Sequence, residues 1–162
     1  MVRVVEVEGA STYLFDANIF IDLGERVYPD DVFKGLWVKL ATAFSTGEIV
    51  TSHGVLGELK RASKPHLPWR LLVLAECKAH ALNEADEKIQ RAFAHLAQLV
   101  EDGDLSKGLS QVDLLLLACA EAHGLPIVTR DGPMANACSN GKLSVKRVLL
   151  PDVFRAQGWH FP

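Results

Sequence analysis

The chain has 162 residues, 49% hydrophobic and 23% charged, with a formal net charge of −3. This is the composition of one globular domain; it excludes a disordered polyelectrolyte, a coiled coil and a uniformly basic surface, so a nucleic acid would have to be met by a local cationic patch. Cys77, Cys119 and Cys138 include no CxxC pair, which excludes a disulfide framework and a zinc knuckle and fits a reducing cytoplasm. No apolar stretch approaches the ~18 residues that span a bilayer, so no membrane association is expected. The opening "MVRVVEVEGAS" alternates apolar and charged residues where a signal peptide would carry a continuous apolar core, and a soluble, unprocessed protein follows.

The first element is the β-prone run "TYLFD", which ends on Asp16 and is followed by Asn18 and a second acid, Asp22. In "DDVFKGLWVKLATAFSTG" the residues Val32, Leu36, Trp37, Leu40 and Phe44 recur at helical intervals until Gly47 stops them. "EIVTS" reads as a second strand and "HGVLGELKRA" as a short helix ending before Pro65. From Leu67 to Val100 apolar residues recur at three and four positions with a break near Asn83, which predicts two helices. That block should supply core and part of a homodimer surface, with Trp37, Trp69 and Phe93 on apolar helical faces serving either purpose. "SQVDLLLLACAEAHG" is a helix closed by Gly124, "LPIVT" a buried strand, and "LSVKRVLL" a last strand before Pro151. Strands alternating with helices predict a three-layer α/β/α domain around a mainly parallel sheet.

Ligands of open parallel sheets bind beyond the carboxyl ends of the strands, and there Asp16 and Asp131 stand. Glu58 in "VLGELKR" and Asp113 in the first turn of the "SQVD" helix can lean over the same rim. Each acid taken alone has a structural explanation. Ser110 and Asp113 form a capping-box pattern, Asp131 before Gly132 and Pro133 suits a turn, and Glu58 beside Lys60 and Arg61 suits a solvated helix face. Asp16 is hardest to explain this way, because no lysine or arginine lies near it in sequence and an unpaired buried carboxylate is costly. Four converging carboxylates would repel one another unless a divalent cation neutralised them, and a donor set of oxygens alone selects Mg²⁺ or Mn²⁺. Asn18 and Thr129 can add supporting oxygens. Asp22 reads as a surface or capping residue at the end of a helical turn, and the scattered histidines receive no role.

The order "LFDAN", "VLGELKR", "SQVDLLLLACAEAHGLPIVTRD" resembles the PIN domain, including the VapC-type toxin ribonucleases, from Tyr13 to Asp152. Its most specific part places Asp113 and Asp131 18 residues apart around a helix, a glycine turn and a strand ending in Thr-x-Asp. The resemblance implies a single PIN-like domain over 1–162 with its core at about 12–152. It makes Asp16, Glu58, Asp113 and Asp131 the catalytic and metal-binding quartet and Asn18 and Thr129 their supports. It further implies a Mg²⁺- or Mn²⁺-dependent endoribonuclease, the toxin of a toxin–antitoxin pair, with RNA as substrate and an antitoxin protein as partner. Lys60, Arg61 and Arg130 are the foremost candidate RNA contacts, with Lys64, Lys142, Lys146 and Arg147 around the rim. Ala17 stands where many members carry a hydroxyl residue. A non-catalytic PIN-like scaffold binding RNA or an antitoxin competes with this reading. A haloacid-dehalogenase-type phosphatase ranks last, since it wants an acid where this chain has Asn18.

Overall fold

Tyr13, Leu14 and Phe15 make up the first strand, β1 (Tyr13–Phe15), and all three are fully buried. A strand can bury successive residues only when both faces and both edges are covered, which is why its sequence is a continuous apolar run rather than an alternating one. The computed structural model describes residues 12–61 and 67–159, so the expectations attached to 1–11, Lys64, His66 and His160 fall outside the described residues. Within them the remaining strands are β2 (Ile49–Val50), β3 (Ile127–Val128) and β4 (Arg147–Val148), in the order β2-β1-β3-β4 and all parallel. Tyr13 pairs with Ile49 on one side, and Leu14 with Ile127 on the other. The strand order reverses at β1, so the β1/β3 junction is the topological switch point, where such sheets open a crevice at their carboxyl end.

The helices are α1 (Ala17–Ile21), α2 (Lys34–Thr46), α3 (His53–Arg61), α4 (Pro68–Cys77), α5 (Glu87–Glu101), α6 (Gln111–His123), α7 (Gly132–Ser139) and α8 (Leu150–Gln157). The α/β class with a parallel central sheet is therefore as expected. Gly47 and Gly124 end α2 and α6 in the left-handed conformation, with φ of 82° and 63°, where a side chain would clash with its own backbone. Phe15, Phe20 and Phe44 tie β1, α1 and α2 together at ring separations of 5.5 and 5.8 Å.

Two expectations need correction. Helix α2 starts at Lys34 rather than at Asp30 or Asp31, because the Pro29 carbonyl takes the N–H groups of Val32 and Phe33 into a turn; Val32 is consequently 69% exposed and belongs to no apolar face. "LSVKRVLL" pairs only at Arg147–Val148, and Pro151 opens α8 instead of closing a strand, as a proline in a first helical turn can. The run after Asp16 is helical throughout: α1 continues without a break into a π-helical turn, Asp22–Val27. Gly24 of that turn lies directly under the Trp69 indole, and an added Cβ would come within 2.2 Å of Trp69 Cδ2. The break expected near Asn83 is present, and there Leu82 forms an isolated parallel bridge with Ser52 just beyond β2.

Candidate active site

β1 leads directly into Asp16, whose N–H still bonds the Val128 carbonyl at 3.0 Å and whose side chain caps α1. Its Oδ1 accepts the Ala17 N–H at 2.7 Å, while Oδ2 accepts the Thr129 hydroxyl at 2.7 Å and the Asn18 amide at 3.3 Å. Burial raises the pKa of Asp16; the hydrogen bonds from Thr129 and Ala17 counter this, and the charges of Asp113 and Asp131 add to it.

Hydrogen bonds hold the corner after β3 at several points. Thr129 is 2% exposed, and having given its one hydroxyl proton to Asp16 it accepts the Asp131 N–H at 3.1 Å. Its carbonyl accepts Arg147 Nε–H at 3.0 Å. The next N–H, that of Arg130, donates to Asn18 Oδ1 at 3.2 Å, so the Asn18 amide spans both acidic strand ends. Asp131 Oδ2 then accepts the Met134 N–H at 3.1 Å and caps α7.

Asp113 forms the capping box foreseen from the sequence: it accepts the Ser110 N–H at 3.1 Å while its own N–H donates to Ser110 Oγ at 3.1 Å. Capping and convergence are not alternatives, for the Asp113 charge still reaches Asp16 and Glu58. Glu58 is half-buried in the middle of α3 rather than solvated. Burial raises its pKa, Asp16 and Asp113 push it further, and Arg61 partly offsets them. The start of α3 is held by Ser52 Oγ, which accepts the Val55 N–H, and by Glu84 Oε2, which accepts the Gly54 N–H at 2.8 Å. Glu84 thus helps to place Glu58, a role with no trace in the sequence because the partners are 30 residues apart.

The charges of Asp113, Asp131 and Glu58 reach Asp16, and that of Asp113 reaches Glu58; this donor set, oxygen alone, suits a hard divalent cation. Burial and mutual repulsion give Asp16 and Glu58 the raised pKa values that a cation would relieve. Among the described residues, no three His, Cys, Asp or Glu side chains are already gathered closely enough to hold an ion. A cation would therefore have to draw the ligands together. Burial pushes Cys77 and Cys119 up to about 12 and Cys138 up to about 11, which disfavours their thiolates at neutral pH.

Of the candidate cations, Lys60 and Arg61 are exposed on α3, Lys142 leans toward Asp104 at 3.8 Å, and Arg147 is engaged by the Thr129 carbonyl. Arg130 is exposed and pairs through Nε with Asp22 at 2.6 Å. Asp22, expected at the end of a helical turn and on the surface, instead stands where α1 runs on into the π-helical turn, and its side chain, only 13% exposed, lies between Arg130 and Arg26.

A family model described as a domain of unknown function (DUF4411) matches residues 13–161. Among solved structures, the chain is similar to the crystal structure of VapBC2 from Rickettsia felis bound to a DNA fragment from their promoter, at 16% identity and a TM-score of 0.54, over 85% of this chain and 98% of that one. At that identity the likeness speaks for the fold alone, an α/β domain around a parallel sheet. No curated protein matches the chain by sequence. No helix among the described residues is long and apolar enough to cross a membrane.

Proposed function

The chain belongs to the DUF4411 family, and from its acidic rim we propose that it is a metal-dependent endoribonuclease hydrolysing RNA phosphodiester bonds. One observation carries the reading: the charges of Asp113, Asp131 and Glu58 reach Asp16 where β1 ends beside the β1/β3 switch point, burial and these neighbours raise the pKa values of Asp16 and Glu58, and among the described residues no lysine or arginine offsets the charge of Asp16. These four residues would hold Mg²⁺ or Mn²⁺, which when bound supplies an activated water and neutralises charge building on the phosphate. The protein's own groups supply the positioning. Thr129 and Asn18 fix the Asp16 oxygens, the Thr129 hydroxyl also fixes the Asp131 backbone, and the three caps tie Asp16, Asp113 and Asp131 to rigid helix starts. Lys60, Arg61 and Arg130 receive the phosphates on either side.

The likeness to VapBC2 supports a toxin role in which an antitoxin protein is the partner. We place the homodimer surface on the α4–α5 block, where Leu71 of α4 is 55% exposed. A second reading, a scaffold that binds RNA or an antitoxin without cutting, draws on the absence of a preformed ion-holding cluster among the described residues. Thermal melting in a Mn²⁺ titration separates the two: binding to the folded state alone raises the melting temperature with concentration. A melting temperature unmoved by Mn²⁺ would leave the scaffold.

A further inference from the structure

Arg130 stands between Thr129, whose hydroxyl holds Asp16, and Asp131, at the corner that follows β3. Its guanidinium is engaged at Nε alone, which donates to Asp22 Oδ2 at 2.6 Å. The terminal nitrogens have no hydrogen-bond partner among the described residues, and half of the side chain is exposed. An Nε contact fixes the plane of the guanidinium and leaves free the fork that matches a phosphate.

Asp22 is held on the opposite side. Its N–H donates to the carbonyls of Asn18 and Ile19, which sets it one turn beyond Asn18 on the same helical face. From that face Asn18 takes the Arg130 backbone N–H at 3.2 Å and Asp22 takes the Arg130 side chain. The second Asp22 oxygen lies 3.6 Å from Arg26 NH1. Two positions on one helix, four residues apart, therefore grip Arg130 at two points.

We propose that Asp22 is a positioning residue that aims the free guanidinium fork of Arg130 at an RNA phosphate lying against Asp16 and Asp131. The inference rests on the ribonuclease reading above. It accounts for an acid at the rim of a site that has to admit a polyanion: an unpaired carboxylate there would repel RNA, whereas Asp22 is matched by two arginines and orients one of them.

The sign of the effect makes this testable. Asp22→Asn removes a negative charge, so simple electrostatics predicts faster capture of RNA, whereas loss of positioning predicts slower capture. Initial rates on a mixed-sequence single-stranded RNA in Mn²⁺ are compared for wild type, Asp22→Asn, Arg130→Gln and the double variant. The expected result is a fall in kcat/KM of about tenfold for each single variant, the scale of one charge-assisted contact. The double variant should be no worse than Arg130→Gln, and Arg130→Gln should flatten the dependence of log kcat/KM on log salt by about 0.7. Arg130→Lys, which keeps the charge but loses the fork, should be nearly as impaired as Arg130→Gln and serves if Asp22→Asn does not fold. Asp22→Asn or Arg130→Lys at the wild-type rate, or a full Asp22→Asn loss persisting in the Arg130→Gln background, overturns the inference while the ribonuclease reading stands. A folded wild type that cuts no RNA overturns both.

Discussion

Thr129→Val probes the site at its most connected atom. Valine nearly matches the volume of threonine, so the substitution removes a hydroxyl without opening a cavity. Two hydrogen bonds go with it: the one the hydroxyl donates to Asp16 Oδ2 at 2.7 Å and the one it accepts from the Asp131 N–H at 3.1 Å. A hydrogen bond to a charged group is worth about 1.5–3 kcal/mol, and a stranded buried donor costs about 1–3 kcal/mol. Because the Asp131 N–H lies at the rim, where water can replace part of what is lost, the total should be about 2–4 kcal/mol in metal-free protein. The first part depends on pH. Burial already raises the Asp16 pKa, and the Thr129 hydrogen bond is the foremost influence holding it down, so Thr129→Val raises it further. Between the two folded-state pKa values the variant's native state binds more protons than the wild type's, so the variant loses stability relative to wild type as pH rises through that window. Below both values Asp16 is protonated in either protein, and only the smaller, charge-independent loss remains. Urea unfolding in EDTA from pH 4 to 8, with Thr129→Ser as the hydroxyl-retaining control, measures this. A destabilisation that is flat with pH, or that grows toward acid, would refute the placement of Thr129 on an ionised Asp16.

Further outcomes follow from other contacts. Ser110→Ala should lose about 0.5–2 kcal/mol through the cap of α6, whereas Asp113→Asn keeps an acceptor for the Ser110 N–H and relieves repulsion, so in EDTA it should melt no lower than wild type yet cut RNA poorly. Wild-type turnover by Asp113→Asn would reduce Asp113 to a cap. Gly24→Ala should cost about 1–3 kcal/mol in chemical denaturation, since the new methyl meets the buried Trp69 ring; an unchanged midpoint would mean that the π-helical turn is not seated there. Arg70 is 2% exposed over the Trp69 ring, with Nε and one terminal nitrogen lacking a hydrogen bond and Glu25 at 3.5 Å, so replacing the pair, Arg70→Met with Glu25→Gln, should leave stability unchanged or raised. A drop of several degrees in the melting temperature would show that the guanidinium is better compensated than its contacts indicate.

The sequence exposes what is encoded locally. β1, β2 and β3 are legible because strands inside a parallel sheet are short unbroken apolar runs, and α2 and α6 because glycines mark their ends. The positions of Asp16 and Asp131 just beyond strands and of Asp113 in the first turn of a helix are legible from the same local patterns. What hides is long-range. "ANIFIDL" resembles a strand as much as a helix, and its helical and π-helical course depends on the Asp16 cap and on Trp69 covering Gly24 from 45 residues away. The partnership of Asp22 with Arg130 spans 108 residues and leaves no pattern along the chain. Proline is ambiguous at the carboxyl end, because it can open a helix as readily as close a strand, so Pro151 does not reveal α8 in the sequence.

Most direct is cleavage of single-stranded RNA by the purified protein with Mn²⁺ or Mg²⁺, with excess EDTA, and with Asp16→Asn. The acidic rim predicts cuts carrying 5′-phosphates in the presence of metal and none in EDTA or in a folded Asp16→Asn. Cleavage undiminished in EDTA, or a folded wild type that leaves RNA intact with metal present, would contradict it.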